Sequence, residues 1–276
     1  MNRALYHVFV PKVSKKIPIL DKLRSWHYSA LTCSHIGVAV NESLVKSLLK
    51  ELLLPLAVLL LLTLLFRNTD LDMQITRHFY HSGEGWIYAE QWFWMLLYER
   101  GMIPGFLLGL VALLCLCLAW KLPKLRRQWR SYLLLVLLLL IGPGLLVNSL
   151  FKDNWGRTRP KHVIEFGGHL PFIKTWDRGE RGVSKSFPSG HASIGFYTIA
   201  PFFILRRRRK RLAGFFLFGG TVYGLLMGCG RIAQGGHFPS DVVWAWGMVY
   251  LSGLLLCYLL KPERPTEPHS HPPVLT

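Results

Sequence analysis

Six apolar stretches, at about 48–66, 102–120, 131–151, 190–205, 212–229 and 240–260, constrain this 276-residue chain more than any other feature. A segment lying in hydrocarbon must satisfy every backbone N–H and C=O within itself, so each stretch is expected as a helix. The apolar residues run all round these segments instead of along one face, which a water-exposed helix would not tolerate. With 51% of residues hydrophobic and 13% aromatic, the chain reads as a polytopic membrane protein and not as a soluble globule. The expected fold is all-α, with six transmembrane helices in a bundle and Pro55 as a tolerated kink in the first. The expected organisation is a basic N-terminal tail at 1–46, a membrane domain at 47–261 and a disordered tail at 262–276. No early apolar run of signal-peptide type precedes the first span.

The net charge of +18 is concentrated between the spans. The connection 121–130 carries Lys121, Lys124, Arg126, Arg127 and Arg130, and 206–211 is an unbroken run of arginines and one lysine. Together with the basic tail these are alternate connections, so all are expected on the cytoplasmic side, with both termini. Orientation therefore accounts for the cations, and no nucleic-acid partner is expected; the run 206–211 also offers a contact for anionic lipid. The connections 67–101, 152–189 and 230–239 fall together on the opposite, periplasmic face. In the first of them, Trp86, Tyr88, Trp92, Phe93 and Trp94 suit an interfacial helix at headgroup depth or a gate for lipid chains. The five cysteines show neither metal nor redox spacing and read as packing thiols. His269 and His271 in the tail are not expected to bind metal.

Three polar islands stand at the lips of these apolar segments. The first runs from Lys152 to Arg159-Pro160, the second is Phe187-Pro188-Ser189-Gly190-His191, and the third holds Arg231, His237 and Asp241. Lysine and arginine neutralise a phosphate dianion, and arginine adds a planar fork matched to two oxygens. Ser189 and Gly190 sit where a helix is expected to begin, so free N–H groups and the helix dipole favour an anion there. A histidine nitrogen is a competent nucleophile, and a carboxylate on its other nitrogen fixes the tautomer. His237 and Asp241 are spaced for that pairing, while His191 can protonate a departing alkoxide. The set suits holding a phosphate and attacking it.

These islands resemble the three signatures of the type 2 phosphatidic acid phosphatase superfamily. Lys152, six residues, Arg159-Pro160 matches the first; Pro188 to His191 matches the second; Arg231, five residues, His237, three residues, Asp241 matches the third, with Gly230 where the pattern has serine. The resemblance implies a metal-independent lipid phosphatase with no cofactor, multi-pass in a bacterial inner membrane, with its site on the periplasmic face. His237, oriented by Asp241, would form a phosphohistidine, with His191 as acid and base and Lys152, Arg159, Ser189, Gly190 and Arg231 holding the phosphate. Substrates implied are undecaprenyl pyrophosphate, phosphatidylglycerophosphate, phosphatidic acid or a lipid A phosphate. Two other readings stay open: a phosphotransferase that passes the group to a lipid acceptor, and a non-catalytic lipid transporter or scaffold. Arg157 and Lys161, flanking the first island, are expected to contact the substrate headgroup.

Overall fold

The computed structural model describes residues 42–262. Nearly all of the two expected tails, with Cys33, His269 and His271, lies outside the described residues. Of the described residues, those from Glu51 onward pack as one compact unit. It is mostly helical. Strand among the described residues is limited to a two-stranded antiparallel ribbon, Tyr80–His81 against Gly85–Trp86, and one isolated bridge between Val163 and Leu170.

Among the described residues, five helical stretches are long and apolar enough to cross a membrane: Glu51–Asn68, Trp92–Leu118, Trp129–His162, Lys210–Ala233 and Pro239–Leu260. The first belongs to helix α1, Glu42–Asn68. A sixth apolar stretch, Gly190–Leu205, is shorter. At 1.5 Å per residue its length comes to about 24 Å, against a hydrocarbon core of ~30 Å.

The second stretch begins ten residues before the expected 102. Helix α2, Trp92–Arg100, runs through a single turn at Gly101 into α3, Ile103–Leu118. Glu99 and Arg100 lower the local hydropathy, but packing against the Lys210–Ala233 helix carries the structure on; the Tyr223 hydroxyl donates to the Gly101 carbonyl at 2.7 Å. The aromatic residues expected in one interfacial helix are thus divided: Trp86 lies in the ribbon, Tyr88 in the turn after it, and Trp92, Phe93 and Trp94 at the start of this stretch. The third helix, α4, is regular over Trp129–Leu139 and then winds more widely, as a π-helix, over Leu140–Lys152. Pro143 supplies no N–H inside that segment, and its carbonyl accepts instead from the Asn148 side-chain amide at 2.7 Å. Helix α5, Gly190–Tyr197, follows the long connection; α6 is Lys210–Ala233 and α7 is Pro239–Leu260.

Helix α7 is the axis of the bundle. Of its apolar window 61% is buried, against 11% for Glu51–Asn68, whose Leu53, Leu54, Leu60 and Leu61 face outward. Lipid tails are as apolar as leucine, so such faces gain nothing by leaving lipid, and helices associate through close packing and polar bridges. Both are present. Leu134, Leu138, Phe196, Tyr197, Phe203 and Val249 form one buried cluster, and the Tyr197 hydroxyl donates to the Leu135 carbonyl at 2.8 Å.

The connection 153–189 has little regular structure but is not loose. Trp155, Phe187, Trp176 and Phe151 pack with Trp244 and Met248 of α7, the Trp176 and Trp244 rings lying 4.6 Å apart at 82°. Val163, Phe166, Phe238 and Met73 form a second cluster beside it. Two backbone bonds tie this connection to the turn before α7 and to α7 itself: Lys161 N–H to the Gly235 carbonyl at 3.0 Å and Ser189 N–H to the Asp241 carbonyl at 3.2 Å. The three polar islands therefore meet at one end of the bundle.

Candidate active site

Lys152 stands in the last turn of α4's π-helical segment and Arg231 in the last turn of α6, one turn beyond the expected end of that span. Ser189 and Gly190 open α5, and Asp241 lies in the first turn of α7. His191, half-buried at the start of α5, feels the charges of Arg231, His237, Lys152 and Arg159. Two imidazoles and three cations from five segments thus share one small volume. Arg159 is held at its backbone by the Ser184 hydroxyl at 3.0 Å, with its Nε directed to the Lys185 carbonyl at 3.4 Å. Lys152 Nζ reaches Asn148 Oδ1 at 3.4 Å. Ser189 Oγ and Arg231 Nε are buried without a protein hydrogen-bond partner, so both are available to a bound anion.

His237, in the turn between α6 and α7, is buried to 2% exposure with its Nδ1 3.6 Å from Asp241 Oδ2. That separation exceeds a hydrogen bond, as catalytic pairs often do before substrate draws them together. Burial, the largest influence, pushes His237 down to about 4 against the upward pull of Asp241, and Arg231 and Lys152 lower it further. The ring is therefore neutral at pH 7. With Nδ1 turned to the carboxylate, Nε2 is left with its lone pair, the form a nucleophile requires.

Asp241 is itself firmly held. Its Oδ2 accepts from the Ser186 hydroxyl at 2.6 Å and from the Phe238 N–H at 2.9 Å, and its Oδ1 from Arg157 Nη1 at 2.5 Å. Arg157 has 0% exposure. Its Nε donates to the Ile173 carbonyl at 2.9 Å, Nη1 also to Ser240 Oγ at 2.8 Å, and Nη2 to Asp72 Oδ2 at 2.8 Å. Phe238 covers the guanidinium face at 4.8 Å. The expected contact of Arg157 with a substrate headgroup is thus corrected: every part of its fork is spent on the protein interior. Lys161, by contrast, is exposed.

A groove of about 350 Å³ leads away from the cluster between α3, α4 and α5. Lys152, Asn148, Gly190 and His191 line its polar end, and Met102, Phe106, Leu139, Leu140 and Ile194 its apolar length. Among the described residues, no group of three or more His, Cys, Asp or Glu side chains is placed to hold a metal ion.

Residues 131–265 match the model of the PAP2 superfamily. A lipid A 4'-phosphatase of Francisella tularensis subsp. novicida (strain U112) is 34% identical over 214 residues, covering 73% of this chain and 90% of the relative. The chain belongs to the PAP2 superfamily. Lipid A 4'-phosphatases of Rhizobium leguminosarum and Rhizobium etli (strain ATCC 51251 / DSM 11541 / JCM 21823 / NBRC 15573 / CFN 42) match over a shorter stretch of 133 residues, 48% of this chain. They are 35% and 34% identical, with 54% and 49% of their own lengths covered. No solved structure matches. The chain is accordingly a multi-pass membrane phosphatase, an enzyme of the PAP2 type.

Within that superfamily pattern, Gly230 has a local explanation. A methyl group there would lie 3.1 Å from the Trp94 ring, so a serine would crowd the indole that packs over this turn. Tyr98, one turn further along α2, was not singled out by sequence reasoning. Its ring stacks on His191 at 4.9 Å and 17°, and the Arg231 guanidinium lies over it at 4.6 Å. Asn148, Ser186 and Asp72 were missed as well. Asn148 carried one legible signal, its position one turn before Lys152; nothing local marked the others.

Gly190 lies close against two side chains of the cluster. A methyl group on it would lie 2.5 Å from Asn148 Oδ1 and 2.9 Å from Lys152 Nζ. Both are ends of side chains that can swing away, so Gly190→Ala should fold while displacing the Lys152 ammonium from its place in the cluster. The expected outcome is a kcat/KM for phosphate release lowered about 10- to 100-fold, with a thermal midpoint in detergent close to that of the parent.

Proposed function

We propose that the chain is an integral membrane phosphatase that hydrolyses the 4'-phosphate ester of lipid A through a phosphohistidine at His237. The gathering of Lys152, Arg159 and Arg231 around His191 and a neutral, carboxylate-backed His237 carries this reading. The substrate class follows from the relatives, which are lipid A 4'-phosphatases.

The three cations, the Ser189 hydroxyl and the Gly190 N–H cradle the phosphate and offset the charge on its equatorial oxygens, the main source of rate in phosphoryl transfer. His237 Nε2 attacks phosphorus with its lone pair. The bond from phosphorus to the sugar oxygen breaks, and that oxygen takes a proton from His191, which the bound phosphate dianion beside it has drawn into its protonated form with a proton from solvent. His191, now neutral, accepts a proton from water as the water oxygen attacks the phosphohistidine; the N–P bond breaks and phosphate leaves. Asp241 stabilises the positive charge that appears on His237. An acyl chain lies in the groove between α3, α4 and α5, with the phosphate at its polar end.

The bundle crosses the membrane six times, the short Gly190–Leu205 stretch making the fourth crossing. Basic connections 121–130 and 206–211 face the cytoplasm with both termini, and the site opens to the periplasm of a bacterial inner membrane. The three fixed cations take the charge-neutralising part that a divalent metal plays in other phosphoryl-transfer enzymes. Activity is therefore expected to persist in EDTA, and its loss in chelator with recovery on adding Mg²⁺ would overturn this part of the mechanism.

The deciding assay incubates purified full-length protein in detergent with lipid A, and separately with phosphatidic acid, phosphatidylglycerophosphate and undecaprenyl pyrophosphate. Loss of the 4'-phosphate from lipid A, by mass spectrometry, with a matching yield of free phosphate, is expected. Turnover of another lipid in its place removes the substrate assignment. Phosphate recovered on a lipid acceptor identifies a transferase.

A further inference from the structure

Asp72 lies in the short helix Leu71–Arg77, before the family-matched region, and it is 1% exposed. Its Oδ1 accepts from the Ser240 N–H at 2.9 Å, and its Oδ2 from Ser240 Oγ at 2.6 Å and Arg157 Nη2 at 2.8 Å. One carboxylate thereby caps the first turn of α7, the turn that carries Asp241, and also grips the arginine that holds Asp241 Oδ1. We infer that Asp72 and Arg157 are positioning residues that act on His237 through Asp241. The inference rests on His237 being the nucleophile.

Two physical effects combine. Arg157 occupies Oδ1 of Asp241 and leaves Oδ2 directed at His237 Nδ1, so the rotation of the carboxylate is set from behind. An arginine paired with Asp241 alone would also neutralise it and weaken its pull on the imidazole. With Asp72 sharing the guanidinium, the buried trio keeps one net negative charge. That charge sits 3.6 Å from a ring that turns positive only as the phosphohistidine forms. The interaction strengthens toward the transition state, so its loss should appear in kcat more than in KM.

The test compares the full-length parent with Asp72→Asn, each labelled with ¹⁵N-histidine and purified in detergent. Asp72→Asn is expected to lower kcat about 10- to 100-fold, less than the ~10⁴-fold seen when a triad loses its directly bonded aspartate. KM should stay within about threefold, and the His237 Nδ1 resonance should move. Should Asp72→Asn yield no folded protein, Ser240→Ala removes the hydroxyl between Asp72 and Arg157 and is read the same way, with the His237 resonance displaced and kcat lowered. Folded protein with unchanged kcat, an equal loss in KM, or an unmoved His237 resonance overturns the inference. Because the resonance needs no turnover, a parent that releases no phosphate refutes the phosphatase reading while the shift still decides the role of Asp72.

Discussion

Replacing His237 by alanine is expected to abolish phosphate release, with kcat lowered by about 10⁴-fold or more. The fold should survive. His237 Nδ1 makes no hydrogen bond, and Asp241 keeps Ser186, the Phe238 N–H and Arg157 when the ring is gone. No buried charge is stranded, and the loss is confined to the packing of one imidazole. Rapid quenching after radiolabelled substrate should trap an acid-labile, alkali-stable phosphoenzyme in the parent and none in the variant. Turnover near the parental rate would remove His237 as nucleophile, whatever its surroundings.

Arg157→Met should produce the largest loss of stability among the site variants. It leaves Asp72 and Asp241, both essentially inaccessible to water, without their shared cation, and strips the donors from Ser240 Oγ and the Ile173 carbonyl. Breaking a buried ion pair on one side costs about 3–5 kcal/mol, because a desolvated charge is left uncompensated. At this size that lowers the thermal midpoint by roughly 10 °C. Arg159→Met is the informative contrast. Arg159 is partly exposed, and its guanidinium makes one long bond, to the Lys185 carbonyl at 3.4 Å. Its loss should impair phosphate binding and turnover with little change in midpoint. Equal midpoints for the Arg157 and Arg159 variants, measured by thermal unfolding in detergent, would mean that the buried network does not carry the site.

These two arginines stand two residues apart, and that spacing shows how far sequence reasoning reaches. Both looked suited to phosphate, since a flanking position and a positive charge are all that local reading can weigh. What separates them is the path of the 153–189 connection, set by Trp155, Trp176 and Phe187 packing onto α7. That path turns Arg157 inward to a carboxylate 85 positions earlier in the chain and leaves Arg159 at the site. Tyr98 escaped notice for the same reason: its partners, His191 and Arg231, belong to helices that meet it only when the bundle closes. The early start of the second stretch at Trp92 was likewise hidden, because Glu99 and Arg100 interrupt the hydropathy while packing against α6 sustains the helix.

Apolar runs, alternating basic connections and the spacing of Lys152, Arg159, His191, Arg231, His237 and Asp241 were sufficient to identify a helical membrane protein of this superfamily. Each is a property of neighbouring residues: backbone self-satisfaction in hydrocarbon, charge at a membrane edge, side-chain chemistry at fixed intervals. Which of the cations is buried against Asp241, and that Asp72 bonds the same arginine, were decided only by the tertiary structure. A buried charge persists only where packing brings it a partner, and here the partners lie on segments far apart along the chain.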